Sequence, residues 1–354
     1  MNKQYIFTPG PVPMSKEILK MGSLQLPYFR NEYFSKIVLE CKKDLLELVN
    51  AKEDSEVVFI TSSGTGAMEA TIMNLLSKED NAIIINGGGF GQRFVDICNT
   101  HNIPNFDMKI NKDDNIDFKE LSSINASAFV VNAHETTIGK FYNLNKIGQF
   151  CKKNKLLNIV DAISSFVSDE INMKKHNIDA LIISSNKGLA LPPGLAIVIL
   201  SPKAVSKLQE INSIYFNFKS YILDVQRGQT PFTPAISIIL QLNKRLKELK
   251  KQTISKTNKK TKKLANYFRK NIKDLPFEFY VKNMPNAMTT LTPTDGKHAS
   301  EIIKEFEEKY NIILTPSGGD LKEKLIRVSH MGNMNKKYID VLINALKQYY
   351  GIVK

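Results

Sequence analysis

Five short runs rich in valine and isoleucine, separated by helical patterns, set the tightest limit on this chain: Val57–Thr61, Ala82–Ile85, Ala128–Asn132, Leu157–Asp161 and Ala180–Ser184. Helical spacing stands between them, as in Ala67–Leu76 and Leu144–Lys153. This alternation predicts an α/β fold, a mainly parallel sheet with helices on both faces. Leu195–Leu200 follows the turn Pro192-Pro193-Gly194 and is expected to return antiparallel. From about residue 240 the pattern changes to one long basic helix, with strand candidates beyond it at 277–281, 287–291 and 325–328. We divide the chain into a large domain (16–240) and a smaller α+β C-terminal unit (241–354) behind an N-terminal arm (1–15).

The charge balance raises other classes of function. Net charge is +14, which invites a nucleic-acid reading. The excess is concentrated in 244–273, at spacings that suit the exposed face of a helix, without interleaved aromatics or a nucleic-acid motif. A solvated face is expected there, with neither a nucleic-acid nor a membrane partner. The segment 1–13 holds Thr8-Pro9-Gly10-Pro11 where a secretory leader needs an apolar core. Cys41, Cys98 and Cys151 are odd in number and form no CxxC pair, so no disulfide framework or metal site is expected. A reducing cytoplasm is the expected compartment.

The chemistry gathers where strands end. In an open α/β sheet, ligands bind beyond the carboxyl ends of the strands. Lys187 closes the segment after Ala180–Ser184, and a lysine desolvated in a cleft becomes a nucleophilic amine able to form a Schiff base. Asp161 ends another strand, and a buried acid there needs a partner, either a backbone N–H or a cationic ring nitrogen of a ligand. The two lie 187 − 161 = 26 residues apart, one helix plus one strand, which puts them on nearby strands at the same sheet edge. Thr61-Ser62-Ser63-Gly64-Thr65-Gly66 opens a helix, as an anion-binding loop or as a plain cap. It has no Walker A lysine. Gly87-Gly88-Gly89-Phe90-Gly91 lacks the dinucleotide spacing; its Phe90 fits either a planar ligand or the core.

These residues, in order, resemble the class V aminotransferases of fold type I, which depend on pyridoxal 5'-phosphate. The likeness runs from Thr8-Pro9-Gly10-Pro11 through Ser63-Gly64-Thr65, Gly89-Phe90-Gly91-Gln92-Arg93, Glu135-Thr136-Thr137, Asp161-Ala162-Ile163-Ser164-Ser165, Ser185-Asn186-Lys187 and Phe232-Thr233-Pro234 to Ile326-Arg327-Val328-Ser329-His330-Met331-Gly332. It implies a seven-stranded sheet and a homodimer with active sites at the subunit interface. It implies that Lys187 holds the cofactor and shuttles a proton, and that Asp161 pairs with the ring nitrogen. Ser63, Gly64, Thr65 and Asn186 would bind the phosphate. Phe90 and Ile163 would cover the ring, and Thr137 would bond near its phenolic oxygen. Thr230 and Thr233 would serve the partner's phosphate. Arg327 would clamp a substrate carboxylate, with Pro9 and Gly10 lining the pocket. Phe90 stands where many relatives have Trp, and His134 and His330 are expected to be structural.

The substrates implied are an amino donor and a 2-oxo acid. Glu135–Thr137 and Asp161–Phe166 look most like 2-aminoethylphosphonate–pyruvate aminotransferases. Leu189–Gly194 and the Arg327 segment look more like alanine–glyoxylate and serine–pyruvate enzymes. A class V cysteine desulfurase is the remote alternative, which needs a nucleophilic cysteine on a mobile loop.

Overall fold

The computed structural model describes residues 4–352; residues 1–3 of the arm and 353–354 at the C-terminus lie outside it. Seven strands form one sheet in the order Glu56–Ile60, Ala196–Leu200, Ala180–Ser184, Leu157–Asp161, Ala128–Asn132, Ala82–Asn86, Asn105–Lys109. Every pairing is parallel except the two that Ala196–Leu200 makes. The expected α/β class and the antiparallel return are both present. Asn105–Lys109 was not foreseen. It is an edge strand carrying Asn105, Asp107 and Lys109, and with one side unpaired and much of its surface wet it lacks the apolar run of its neighbours.

Alternation along each central strand feeds two cores. Phe59, Ile83, Ile85, Leu181 and Ile183 pack under the helices Glu32–Leu48, Leu144–Lys153 and Ile236–Gln252. Val58, Ile84, Ile182 and Val198 pack under Gly64–Leu75, Gly89–Thr100 and Phe218–Gln226. A third core, with Phe268, Leu291, Phe306, Ile326 and Leu342, supports a four-stranded antiparallel sheet of Phe277–Phe279, Met288–Pro293, Ile326–Ser329 and Thr315–Pro316. Tyr5–Ile6 pairs with Ile312–Ile313, which ties the arm to this C-terminal sheet region.

The single long basic helix is corrected to two, Ile236–Gln252 and Ile254–Asn271. Thr253 takes a positive φ of 63° between them, and its hydroxyl caps the second by accepting from Lys256 N. Threonine is a favoured N-cap, and a residue in this conformation cannot continue a right-handed helix. The cores change over here as well: Leu242, Leu246 and Leu249 join the large-sheet core, while Leu264 and Phe268 join the third.

Candidate active site

Because the Glu56–Ile60, Ala82–Asn86, Ala128–Asn132, Leu157–Asp161 and Ala180–Ser184 strands run the same way, the segments after them meet at one sheet edge. A cavity of about 450 Å³ lies there. Ser63, Gly64, Thr65, Phe90, Asp161, Ile163, Asn186 and Lys187 all line it. Asp161 and Lys187 come from adjacent strands, as their spacing suggests.

Asp161 is buried. Its Oδ2 accepts from Asn132 Nδ2 at 2.5 Å and its Oδ1 from Ile163 N at 2.7 Å. Burial raises its pKa to about 6, against the pull of those two donors. Among the described residues it has no salt-bridge partner. It is a carboxylate held at the cavity wall, with Lys187 the cation that acts on it from across the site. Lys187 is half-buried, and burial first and Arg327 second lower its pKa to about 8, with Asp161 opposing. Gly10 is what lets the arm cross this lysine: it sits at φ 140°, and a Cβ there would overlap Lys187 Cδ. Pro9 beside it is buried.

The anion loop is open at the start of Gly64–Leu75. Ser63 caps that helix, its Oγ accepting from Gly66 N at 3.3 Å, and the loop presses on Ile163 so closely that a Cβ at Gly64 would meet its Cδ1. Thr65 Oγ1 accepts from Arg93, whose guanidinium lies 5.0 Å from the centre of the Phe90 ring. Asn186 Oδ1 accepts from Ser184 Oγ at 2.7 Å.

Other expected site residues stand outside this wall. Thr137 Oγ1 accepts from Gly89 N at 3.0 Å, and it is Thr136 that lines the cavity. Arg327, on Ile326–Ser329, donates Nε to Pro316 O at 3.0 Å and Nη1 to Thr136 O at 3.3 Å, so it backs the wall that Thr136 forms. Thr230 is buried with its hydroxyl on Phe232 O, and Thr233 is exposed; neither lines the chain's own cavity.

Two residues the sequence reading gave no role belong to the frame. Asn132 is the register partner of Asp161, and both end strands of five residues, a signal available once the two strands are paired. Glu135 is buried and accepts from Gly91 N and Thr137 N, pinning the Phe90 segment to the Thr136–Thr137 turn. Each buried histidine has one ring nitrogen bonded: His134 Nδ1 faces Ser164 O, and His330 Nε2 pairs with Thr289 Oγ1. Burial pushes His134 down to about 3. Cys41, Cys98 and Cys151 are all buried in helices, and burial raises each thiol, so none is a thiolate at neutral pH. Among the described residues no helix is long and apolar enough to cross a membrane.

Comparison with known proteins agrees with this layout. The family model of class-V aminotransferases matches residues 28–341. An uncharacterized aminotransferase of Helicobacter pylori is 30% identical, over 98% of this chain and 100% of its own length. A bifunctional phosphonoacetaldehyde hydrolase/aminoethylphosphonate transaminase of Clostridioides difficile is 28% identical, over 88% of this chain and 50% of its own. The crystal structure of an aspartate aminotransferase from Thermus thermophilus superposes with a TM-score of 0.92 at 22% identity, covering 99% of this chain and all of that one. With a match that spans most of its length, the chain belongs to the class-V aminotransferases.

Proposed function

We propose that this pyridoxal-phosphate-dependent aminotransferase moves an amino group from a small donor with an anionic end to pyruvate or glyoxylate, with 2-aminoethylphosphonate as the donor. The observation that carries the reading is the pairing of Lys187 and Asp161 across one cavity whose floor is an open helix start. The residues fit the cofactor on their own chemistry. Asp161 has no salt-bridge partner among the described residues, and the protonated ring nitrogen supplies one. The N–H groups at Gly64–Leu75 suit a phosphate. The cavity volume falls in the range of cofactor sites.

When bound, the cofactor acts as an electron sink for the carbanion formed at the substrate carbon. The chain's own groups do the rest. Asp161, oriented by Asn132 and Ile163 N–H, keeps the ring nitrogen protonated. Ser63, Gly64, Thr65 and Asn186 hold the phosphate, and Phe90 and Ile163 pack on the ring. Thr136, on the cavity wall, and Thr137, bonded to Gly89 N, would serve its phenolic oxygen. Lys187 Nζ holds the cofactor and then takes and returns the proton of the substrate carbon; a pKa near 8 makes the free amine accessible close to neutral pH.

Arg327 is the anion clamp in this reading. It spends two of five donors on carbonyls, and the planar fork keeps others for an oxyanion. Arg327→Lys retains charge and loses the fork, so KM for both pyruvate and glyoxylate should rise by roughly tenfold or more while kcat changes less. Steady-state kinetics with each acceptor checks it; an unchanged KM moves the clamp elsewhere.

The phosphonate donor is supported by the Clostridioides difficile relative and by the Thr136–Thr137 turn, whose Thr136 carbonyl accepts from Arg327. Alanine or serine with glyoxylate is the second reading. Arg327 favours it because its remaining donors form one planar fork, a match for a singly charged carboxylate. A donor panel against both acceptors separates them: efficient alanine or serine turnover with glyoxylate, and none with the phosphonate, moves the assignment to the second.

The same reading makes the active unit a homodimer, with Thr230 and Thr233 serving the partner's phosphate. Leu19, Tyr28, Tyr33, Ile214 and Leu223 are exposed apolar side chains that a partner would cover. Ile214→Asp with Leu223→Asp should give a monomer by light scattering that has lost most of its turnover. A fully active monomer rules the arrangement out.

A further inference from the structure

Four cations of the basic segment ring a second cavity. It has a volume of about 620 Å³ and lies among the helices Lys16–Gly22, Ile236–Gln252 and Ile254–Asn271 and the segment from His330 to Met334. The break at Thr253 creates it, because it folds Lys260 back into electrostatic contact with Arg245. Lys244, Arg245, Lys251 and Lys260 line the cavity, against the carboxylates Glu17 and Glu248, an excess of 4 − 2 = 2 positive charges.

The cations are poorly neutralised. Arg245 is 16% exposed, donates Nε to Leu189 O at 3.1 Å, and reaches Glu248 only at 3.4 Å. Two of its five donors are therefore used. Lys244, Lys251 and Lys260 form no salt bridge among the described residues. Glu17 bonds chiefly at its own helix start, with its backbone and Ser15, and feels Lys244 and Lys16 only as more distant charges. Burial lowers the pKa of both Arg245 and Lys260, and Arg245 adds to the effect on Lys260. His330, fully buried on the same wall, has an Nδ1 without a hydrogen-bond partner. Arg245 is half-buried while Lys244, Lys251 and Lys260 stand exposed around it, and like charges gathered about one hollow attract a multiply charged anion.

We infer that this cavity is a binding site for a small phosphate monoester, separate from the active site. Such an ester carries close to two negative charges at neutral pH, equal to the excess of the lining, and three oxygens that suit the guanidinium fork. The cavity has room for its organic part. The site is joined to the active lysine through the main chain. Arg245 holds Leu189 O, Ala190 lines the cavity, and Ala190 N donates to Lys187 O at 2.8 Å. An anion that draws on Arg245 therefore bears on the turn that presents Lys187.

The test is calorimetry on the cofactor-loaded enzyme at fixed ionic strength, titrated with glycerol 3-phosphate and with inorganic phosphate. Bound cofactor occupies its own phosphate loop, and saturating pyruvate occupies Arg327. Expected is saturable binding of glycerol 3-phosphate at one per chain that persists with pyruvate present. It should weaken at least tenfold in Arg245→Gln and in Lys260→Glu. Should Arg245→Gln fail to fold, Lys244→Glu with Lys260→Glu, both on the rim, carries the same expectation. The site is overturned by no saturable binding, by displacement with pyruvate, by unchanged affinity in the Lys244→Glu, Lys260→Glu pair, or by binding of inorganic phosphate alone. None of these outcomes depends on which amino donor the enzyme uses.

Discussion

Lys187→Ala should lower transamination by at least about 10³-fold, the scale of losing a positioned acid–base group that is also the covalent anchor. Cofactor should still associate through Ser63–Thr65 and Asp161, but dialysis should remove it, where wild-type enzyme keeps its absorbing species. Near-wild-type turnover in the variant would remove the basis of the mechanism. The pKa of Lys187 adds a pH signature. At about 8 it lies below the 10.5 of a free lysine. Between those values the unfolded chain binds more protons than the folded one, so apoprotein stability rises with pH across that window. The alanine variant should lack that rise in urea titrations at pH 8 and 10. Reloading of wild-type apoenzyme should also quicken as pH approaches 8 from below, since attachment needs the free amine. A rate that keeps rising by about tenfold per pH unit between 8 and 10 would contradict the lowered pKa.

What the sequence made legible follows from how local each signal is. Buried parallel strands are continuous apolar runs, so the central strands could be read directly, and their carboxyl ends located Asp161 and Lys187 at one edge. Asn105–Lys109 escaped because an edge strand needs little apolar surface. The basic helix was read as continuous because lysines and a threonine give no obvious stop; the break lies in the backbone of Thr253. That error concealed the second cavity, since a straight helix would have left Lys260 far from Arg245. Around the cavity, the lining residues that local sequence marks were named and those set by strand pairing were not. Asn132 reaches Asp161 only through strand register, and Thr136 differs from Thr137 only in which way one turn points.

Asp161→Asn should separate function from stability with opposite signs. In the apoprotein the Asp161 pKa is raised from 3.8 to about 6, chiefly by burial. Between these values the folded state binds more protons than the unfolded one, so stability falls as pH rises through the window, and the full cost is present above it. The substitution removes an ionised buried group and keeps the acceptor for Ile163 N–H. The new amide can also be satisfied, because Asn132 Oδ1 is buried without a partner and can turn to accept from it. Apo Asp161→Asn should therefore be more stable than wild type by roughly 1–3 kcal/mol at pH 7.5 and equal to it near pH 4. Turnover should move the other way. Removing one partner of a buried charge pair costs about 2–5 kcal/mol, which corresponds to a loss of roughly 30- to 5,000-fold in kcat/KM. Urea unfolding of the two apoproteins at both pH values, beside steady-state kinetics of the loaded enzymes, measures the two effects independently. A variant no more stable than wild type at pH 7.5 would show that the protein's own groups already neutralise Asp161. Wild-type kcat/KM would show that the ring nitrogen does not depend on it.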